Sequence, residues 1–416
     1  MSPSSGAPDV VELLQQLVSI NSANPSMAPA GAGKQGGESG RPQGHGEAEY
    51  ARFVADYGER FGATVTFDEV LPGRPNVLLR LPATDGRSTQ DSPRLLFDIH
   101  LDTVPLEPMQ DALTPTIKEG KLRARGACDT KGSMAAALIA LHRLATSNTP
   151  RHADILLLGT VDEEYLKRGA THAVQSGMCK GVTAAVVGEP TTLRPVIAHK
   201  GAVRWKIVTH GRAAHTSRPE NGVNAIYGMV EVIEALREKL DPKLALETHP
   251  LLTPPTLTVG TIEGGVGVNI VPDTTTIALD RRTLPREDPD AILAEVDAIL
   301  KEVESRTPGL RIERQTPNLV ERGLETPSDS PIVKLAVEAC AATLGSREAA
   351  QPVGVPYGTD GTQLSGTARI PTVVLGPGDI AQAHTADEWV ELAQVEQCTE
   401  IYLRIMRDFT SGLVAG

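Results

Sequence analysis

Apolar residues recur along this chain in two rhythms. Val10, Leu13, Leu14 and Leu17 share one side of a helix predicted over 10–20, and a second helix is predicted over 46–61. Short apolar runs at 64–67, 77–81 and 95–99 read as strands. Segment 131–144, small residues followed by aliphatic ones, fits a helix packed closely on a sheet. Further strands are expected at 155–158, 184–187 and 372–375. Strands alternating with helices predict an α/β fold with a largely parallel sheet. Between the first two helices, 22–46 is rich in Gly, Pro, Ser and Ala and has little to bury, so it reads as a mobile loop.

The texture changes between about 194 and 318. Strand-like alternation appears at 203–208, 256–261 and 274–279. Two amphipathic helices lie among these strands. One presents Val223, Ile226, Val230, Ile233 and Leu240; the other presents Ile292, Val296, Ile299 and Val303. Helices on one face of an antiparallel sheet make an α+β unit, so the expected organisation is a first domain in two segments, 1–193 and 319–416, with a second domain inserted at 194–318. Ser330 and Pro331 start a helix over 332–344, and 389–409 is expected to be one long terminal helix.

Composition narrows the function. The net charge of −12 argues against a nucleic-acid surface, which needs a basic stripe. No run of ~20 apolar residues is present to span a bilayer. The stretch MSPSSGAPDV lacks the basic and apolar regions of a secretion signal, and the expected location is cytoplasmic. Cys128, Cys179, Cys340 and Cys398 are too widely spaced for a zinc ribbon or a disulfide framework. Cys128 is expected to be a small buried hydrophobe.

Polar residues at the strand ends form a set. His100 and Asp102 follow one strand, Asp129 lies just before a helix, Glu163 and Glu164 end the next strand, and Glu189 and His384 follow two more. In open α/β sheets ligands bind beyond the carboxyl ends of strands. Three adjacent acids, Asp162 to Glu164, repel one another unless cations are near. Imidazole and carboxylate together suit zinc or a similar first-row ion. Five ligands, His100, Asp129, Glu164, Glu189 and His384, exceed the three a single catalytic zinc needs, which favours two ions sharing a carboxylate. Asp102 is expected to accept from the second nitrogen of His100 and fix its tautomer.

Taken together, "HLDTVP", "ACDTKG", "DEE", "GEPT", "HTSRPENGVNAI" and "AHTADE" resemble the zinc aminoacylase and carboxypeptidase family of metallohydrolases, in its acetylornithine deacetylase and succinyl-diaminopimelate desuccinylase branch. The resemblance implies a phosphorylase/hydrolase-like catalytic domain with an inserted ferredoxin-like lid and dimerisation domain. It implies two divalent ions, zinc or cobalt, with Asp129 as the bridging ligand. His100 and Glu189 would complete one metal, and Glu164 and His384 the other. Glu163 would be the general base, and Asp129–Thr130 a candidate cis peptide. His215 would reach across a homodimer to stabilise an oxyanion, Asn269 would bond a substrate carbonyl, and Arg282 would grip a substrate carboxylate. Arg281, on the other strand face, would be solvated. Thr359, Asp360 and Gly376 would line the pocket.

The implied reaction is amide hydrolysis of an N-acyl amino acid. A dipeptidase or carboxypeptidase would use the same chemistry. A metal-binding protein without catalysis would lack a general base, whereas Glu163 is present. Thr130, where Met or Asp often follows the bridging acid, and the 22–46 loop depart from familiar members and leave the acyl preference open. The remaining histidines are expected to be structural, although His199 and Lys200 near the domain junction could approach substrate.

Overall fold

In the first of two compact units, Asp154–Thr160, Arg94–His100, Val182–Val187 and Thr372–Val374 lie side by side and parallel. The computed structural model describes residues 9–27, 46–84, 92–148 and 150–409. The first unit comprises Met1–Ile197, Thr326–Val353 and Thr359–Gly416; the second comprises Ala198–Glu325 and Gly354–Gly358. The sheet is mixed rather than wholly parallel. Arg74–Leu81 pairs antiparallel with Asp154–Thr160 and carries the edge strand Thr64–Leu71, while Val196 pairs antiparallel with Val374 at the other side.

The parallel strands are unbroken apolar runs because both faces are covered: every residue of Asp154–Thr160 is buried, whereas edge strand Thr64–Leu71 is exposed or half-buried throughout. The helix Gly132–Thr146 packs against Leu392–Asp408, with Gly132, Ser133 and Ala135 to Ala137 all buried. Small side chains allow that close approach. Asp9 caps Val10–Val18 by accepting from the Val11 N–H at 2.8 Å, and Gly345, at φ 70°, ends Pro331–Leu344.

Two expectations need correction in this unit. The terminal helix begins at Leu392, because Trp389–Glu391 forms a strand on Lys121–Arg123, which pairs in turn with Thr116–Lys118. Edge pairing overrides helical periodicity there. The loop expected at 22–46 is anchored at its start: Ser22 and Asn24 are buried, and the Asn24 N–H donates to the Thr103 carbonyl at 2.8 Å. Residues 28–45 of that loop lie outside the described residues.

The second unit runs strand–helix–strand–strand–helix–strand. Thr256–Gly264, Thr274–Thr283, Gly201–His210 and Arg311–Arg314 form the sheet in that order, all antiparallel, with Leu319–Glu321 also on Gly201–His210. Val203, Trp205, Ile207, Ile277 and Leu279 share a core with the helices Ala225–Leu246 and Pro289–Arg306. The buried stripe of the first helix is Ala225, Met229, Val232, Leu236 and Leu240, so the expected Val230 is exposed at 44%. That helix has apolar residues on more than one side, and packing against the sheet selects among them. Among the described residues no helix is long and apolar enough to cross a membrane.

Candidate metal centre and active site

Strand ends bring the site together within the first unit. His100 closes Arg94–His100, Glu163 and Glu164 follow Asp154–Thr160, Glu189 follows Val182–Val187, and His384 comes from the segment after Thr372–Val374. Asp129 lies in the π turn Ala127–Lys131 that leads into Gly132–Thr146, and its peptide to Thr130 is cis.

Asp129 stands between two imidazoles. Its Oδ1 is 2.9 Å from His100 Nε2, and its Oδ2 is 3.3 Å from His384 Nε2. On the first side Glu189 Oε1 is 3.9 Å from His100 Nε2. On the second, the Glu164 oxygens are 2.9 and 3.1 Å from His384 Nε2. The five side chains thus form two donor sets that share one carboxylate. Ligand atoms of His100, Asp129 and Glu164 lie within 4.8 Å of one another, as do those of His100, Glu163 and Glu189.

Crowded acids perturb one another. Burial and then the charge of Asp129 push the Glu164 carboxyl up to about 8 and Glu189 well above the usual range. Burial works against ionised Asp129 too, but hydrogen bonds from His100 and His384 outweigh it and hold that carboxyl well below its ordinary value. Hydrogen bonds donated to the Asp129 and Glu164 carboxylates raise His384 to about 11. Buried carboxylates, with a buried His100 and an exposed His384 aimed at the same place, make a candidate cation site whose donor set fits zinc or a comparable ion.

The tautomer of His100 is fixed, though not by the expected atom. Its Nδ1 is 2.8 Å from the backbone carbonyl of Asp102; a carbonyl only accepts, so the proton is on Nδ1 and Nε2 faces the acids. The Asp102 carboxylate is 3.7 Å from that nitrogen. It serves the acidic turn instead: Oδ1 accepts from the Glu163 N–H at 2.9 Å, and Oδ2 from the Glu164 N–H at 3.1 Å and Asn24 Nδ2 at 2.7 Å.

The cations that three consecutive acids require are present. Asp162, held at φ 67°, accepts from Arg74 Nη2 at 3.1 Å, Arg168 Nε at 2.5 Å and Asn24 Nδ2 at 3.1 Å. Glu47 pairs with Arg74 and accepts the Asp162 N–H at 3.0 Å. Lys167 Nζ is 3.3 Å from Glu163 Oε1. Asp162 therefore turns to the arginines, Glu163 to Lys167 and Glu164 to His384. A left-handed non-glycine residue costs roughly 1–2 kcal/mol, and this network over-determines it.

The residues expected to line the pocket also have partners of their own. Asp360 is buried, and its Oδ2 accepts from Thr160 Oγ1 at 2.8 Å. Thr359, also buried, accepts the Gly361 N–H at 3.1 Å and shapes its own turn. Gly376 bonds Thr191 through its N–H and its carbonyl, and a Cβ there would collide with Ser133 Oγ and the Glu189 carbonyl. It is a close-approach glycine behind Glu189. The Cys128 thiol, pushed well up by burial and by Asp129, donates to the Asp379 carbonyl at 3.3 Å. Sequence reasoning missed Glu388, whose carboxylate binds the backbone of the Asp129 turn. Its signal was its place as the last residue of "AHTADE", the motif that also holds His384.

In the second unit, His215 is exposed beside a short antiparallel bridge to Ile270, and the Thr216 N–H donates to the Asn269 carbonyl at 3.2 Å. The Ser217 N–H donates to His215 Nδ1 at 3.1 Å, which leaves the ring proton on Nε2. The Asn269 side chain is exposed beside it. Arg282 is half-buried, with Nε 2.8 Å from Asp280 Oδ1. Arg281 is not solvated: its side chain is 4% exposed and ion-paired with Glu287. It shares the strand face of Ile277 and Leu279, which the helices cover. His199 is buried, and Lys200 Nζ donates to the Pro254 carbonyl at 2.6 Å, so both have structural partners.

A family model described as peptidase family M20/M25/M40 matches residues 96–408. The acetylornithine deacetylase of Proteus mirabilis is 32% identical to this chain over 410 residues, 97% of each. Among solved structures, a tripeptidase from Staphylococcus aureus matches with a TM-score of 0.76 at 22% identity, covering 97% of this chain and 99% of that one. A dinuclear metal-binding peptidase of the M20 family from Bacillus subtilis matches with a TM-score of 0.68 at 14% identity, covering 96% and 97%. The matched span runs through all five donor side chains and Glu163, and on that evidence the chain belongs to peptidase family M20/M25/M40.

Proposed function

We propose that this protein is a di-metal amidohydrolase that removes the acyl group from an N-acyl amino acid. The carrying observation is Asp129, with one oxygen toward His100 and the other toward His384. Similarity to an acetylornithine deacetylase over nearly the full length supports the substrate class. His100 and Glu189 would hold one divalent ion and His384 and Glu164 the other, with Asp129 shared. Zinc is the proposed ion and cobalt its substitute; the fold relative from Bacillus subtilis is a dinuclear metal-binding peptidase. Bound ions of this kind polarise a carbonyl and bring the pKa of water toward ~7.

The side chains then divide the work. Glu163 is 8% exposed, with its backbone held by Asp102. It takes a proton from the attacking water as the new C–O bond forms, and gives it to the amine nitrogen as the C–N bond breaks. The products are a carboxylate and a free amine. His215 donates from Nε2 to the oxyanion, Asn269 bonds the carbonyl, and Arg282 receives the substrate carboxylate with its planar fork.

The second unit, Ala198–Glu325 with Gly354–Gly358, is proposed as the lid and dimerisation unit expected from the sequence at 194–318. Val266 and Val268 are 85% and 102% exposed, and Val268 lies beside exposed Tyr227 and Ile270, which supports a second copy covering this surface.

The test is turnover of N-acetylornithine, N-succinyl-diaminopimelate and several dipeptides after loading with zinc or cobalt. Release of the free amino acid from an N-acyl substrate is expected. Turnover of the dipeptides alone would overturn the substrate assignment.

A further inference from the structure

We propose that Glu388 is a positioning residue for the bridging carboxylate, fixing the backbone from which Asp129 reaches toward two cations; this rests on the di-metal reading. Glu388 is 1% exposed, and its carboxylate accepts four hydrogen bonds. Oε1 takes the N–H groups of Cys128 at 3.0 Å and Asp129 at 3.1 Å. Oε2 takes the Gly126 N–H at 3.0 Å and Arg125 Nη1 at 2.7 Å. Arg125 is itself buried, and its Nε donates to the Pro105 carbonyl at 3.1 Å.

These amides open the Ala127–Lys131 turn, where the first N–H groups of a helical segment have no partner within it. One buried carboxylate satisfies three of them and neutralises Arg125. Glu388 also follows His384 closely, so one stretch of chain supplies a proposed ligand and clamps the shared one. No neutral group of the same shape can do this. In a glutamine at 388, whichever half of the carboxylate becomes the amide nitrogen faces two donors and accepts from neither.

The experiment uses the full-length chain, stripped with a chelator and titrated with zinc alone against a chromophoric competitor. The visible spectrum of the cobalt-loaded protein is recorded in parallel. Wild type is expected to take up two equivalents. E388Q is expected to bind metal roughly 10–100-fold more weakly and to change the cobalt spectrum, as outer partners of metal ligands typically do. R125M, which leaves the three amides on Glu388, should shift affinity less.

A folded E388Q with wild-type affinity and spectrum overturns the proposal, even if it melts at a lower temperature, because that is the signature of a purely structural clamp. Should E388Q not fold, E388D decides: it keeps the charge but falls short of the four donors, so weakened binding supports the proposal and wild-type binding overturns it. A wild-type chain that takes up no metal overturns the di-metal reading and this inference with it. Two equivalents in wild type and unchanged E388Q overturn only this one.

Discussion

Replacing Glu163 by glutamine isolates the proton-transfer step. The substitution changes one oxygen to an amide nitrogen and keeps the volume. The remaining oxygen can still accept from Lys167 Nζ, 3.3 Å away in the native protein, and the backbone N–H stays on Asp102 at 2.9 Å. None of His100, Asp129, Glu164, Glu189 and His384 is touched. Loss of the charged partner of Lys167 costs at most about 1.5–3 kcal/mol of stability, the usual worth of a charge-assisted hydrogen bond. That corresponds to a melting temperature lower by several degrees, at ~2–4 °C per kcal/mol.

The barrier should rise by more. A positioned general base contributes typically ~10²–10⁴-fold, which at ~1.36 kcal/mol per tenfold is about 2.7–5.4 kcal/mol. The expected result is kcat reduced by that factor, with KM near wild type and two metal equivalents retained. Free amine released from N-acetylornithine gives the rate, and elemental analysis gives the metal content. A folded, metal-replete E163Q within tenfold of wild-type kcat would refute the assignment of Glu163 as base.

Three further results concern the second unit. Arg282→Ala should raise KM for carboxylate substrates by roughly 10–100-fold, matching a charge-assisted contact of ~1.5–3 kcal/mol, with metal content unchanged. Arg281→Met should leave KM alone and lower the melting temperature, because it leaves Glu287, 17% exposed, without its ion-pair partner; the reverse pattern for the two arginines would reassign them. His215→Ala and Glu163→Gln subunits, each inactive, should regain partial activity when mixed. No recovery despite demonstrated subunit exchange would place His215 in its own subunit's chemistry.

Much of the first unit was legible in the chain. Unbroken runs such as Ile155 to Leu158 declare strands buried on both faces, because only covered strands can be apolar throughout. The residues just past those runs stood out because charge beside such a strand is costly unless it has a purpose. Sequence also placed imidazoles and carboxylates at successive strand ends, and the parallel order of the sheet brings those ends to one side.

What the sequence could not decide is which atom meets which. The carbonyl of Asp102, not its carboxylate, orients His100, because the chain turns there and the side chain is drawn to the Glu163 and Glu164 amides. The burial of Arg281, the exposure of Val230 and the clamp at Glu388 likewise depend on partners distant in sequence. Periodicity along a chain records that a face is apolar or a residue charged. Only the packed structure determines which face is covered, and which donor comes within hydrogen-bonding distance of which acceptor.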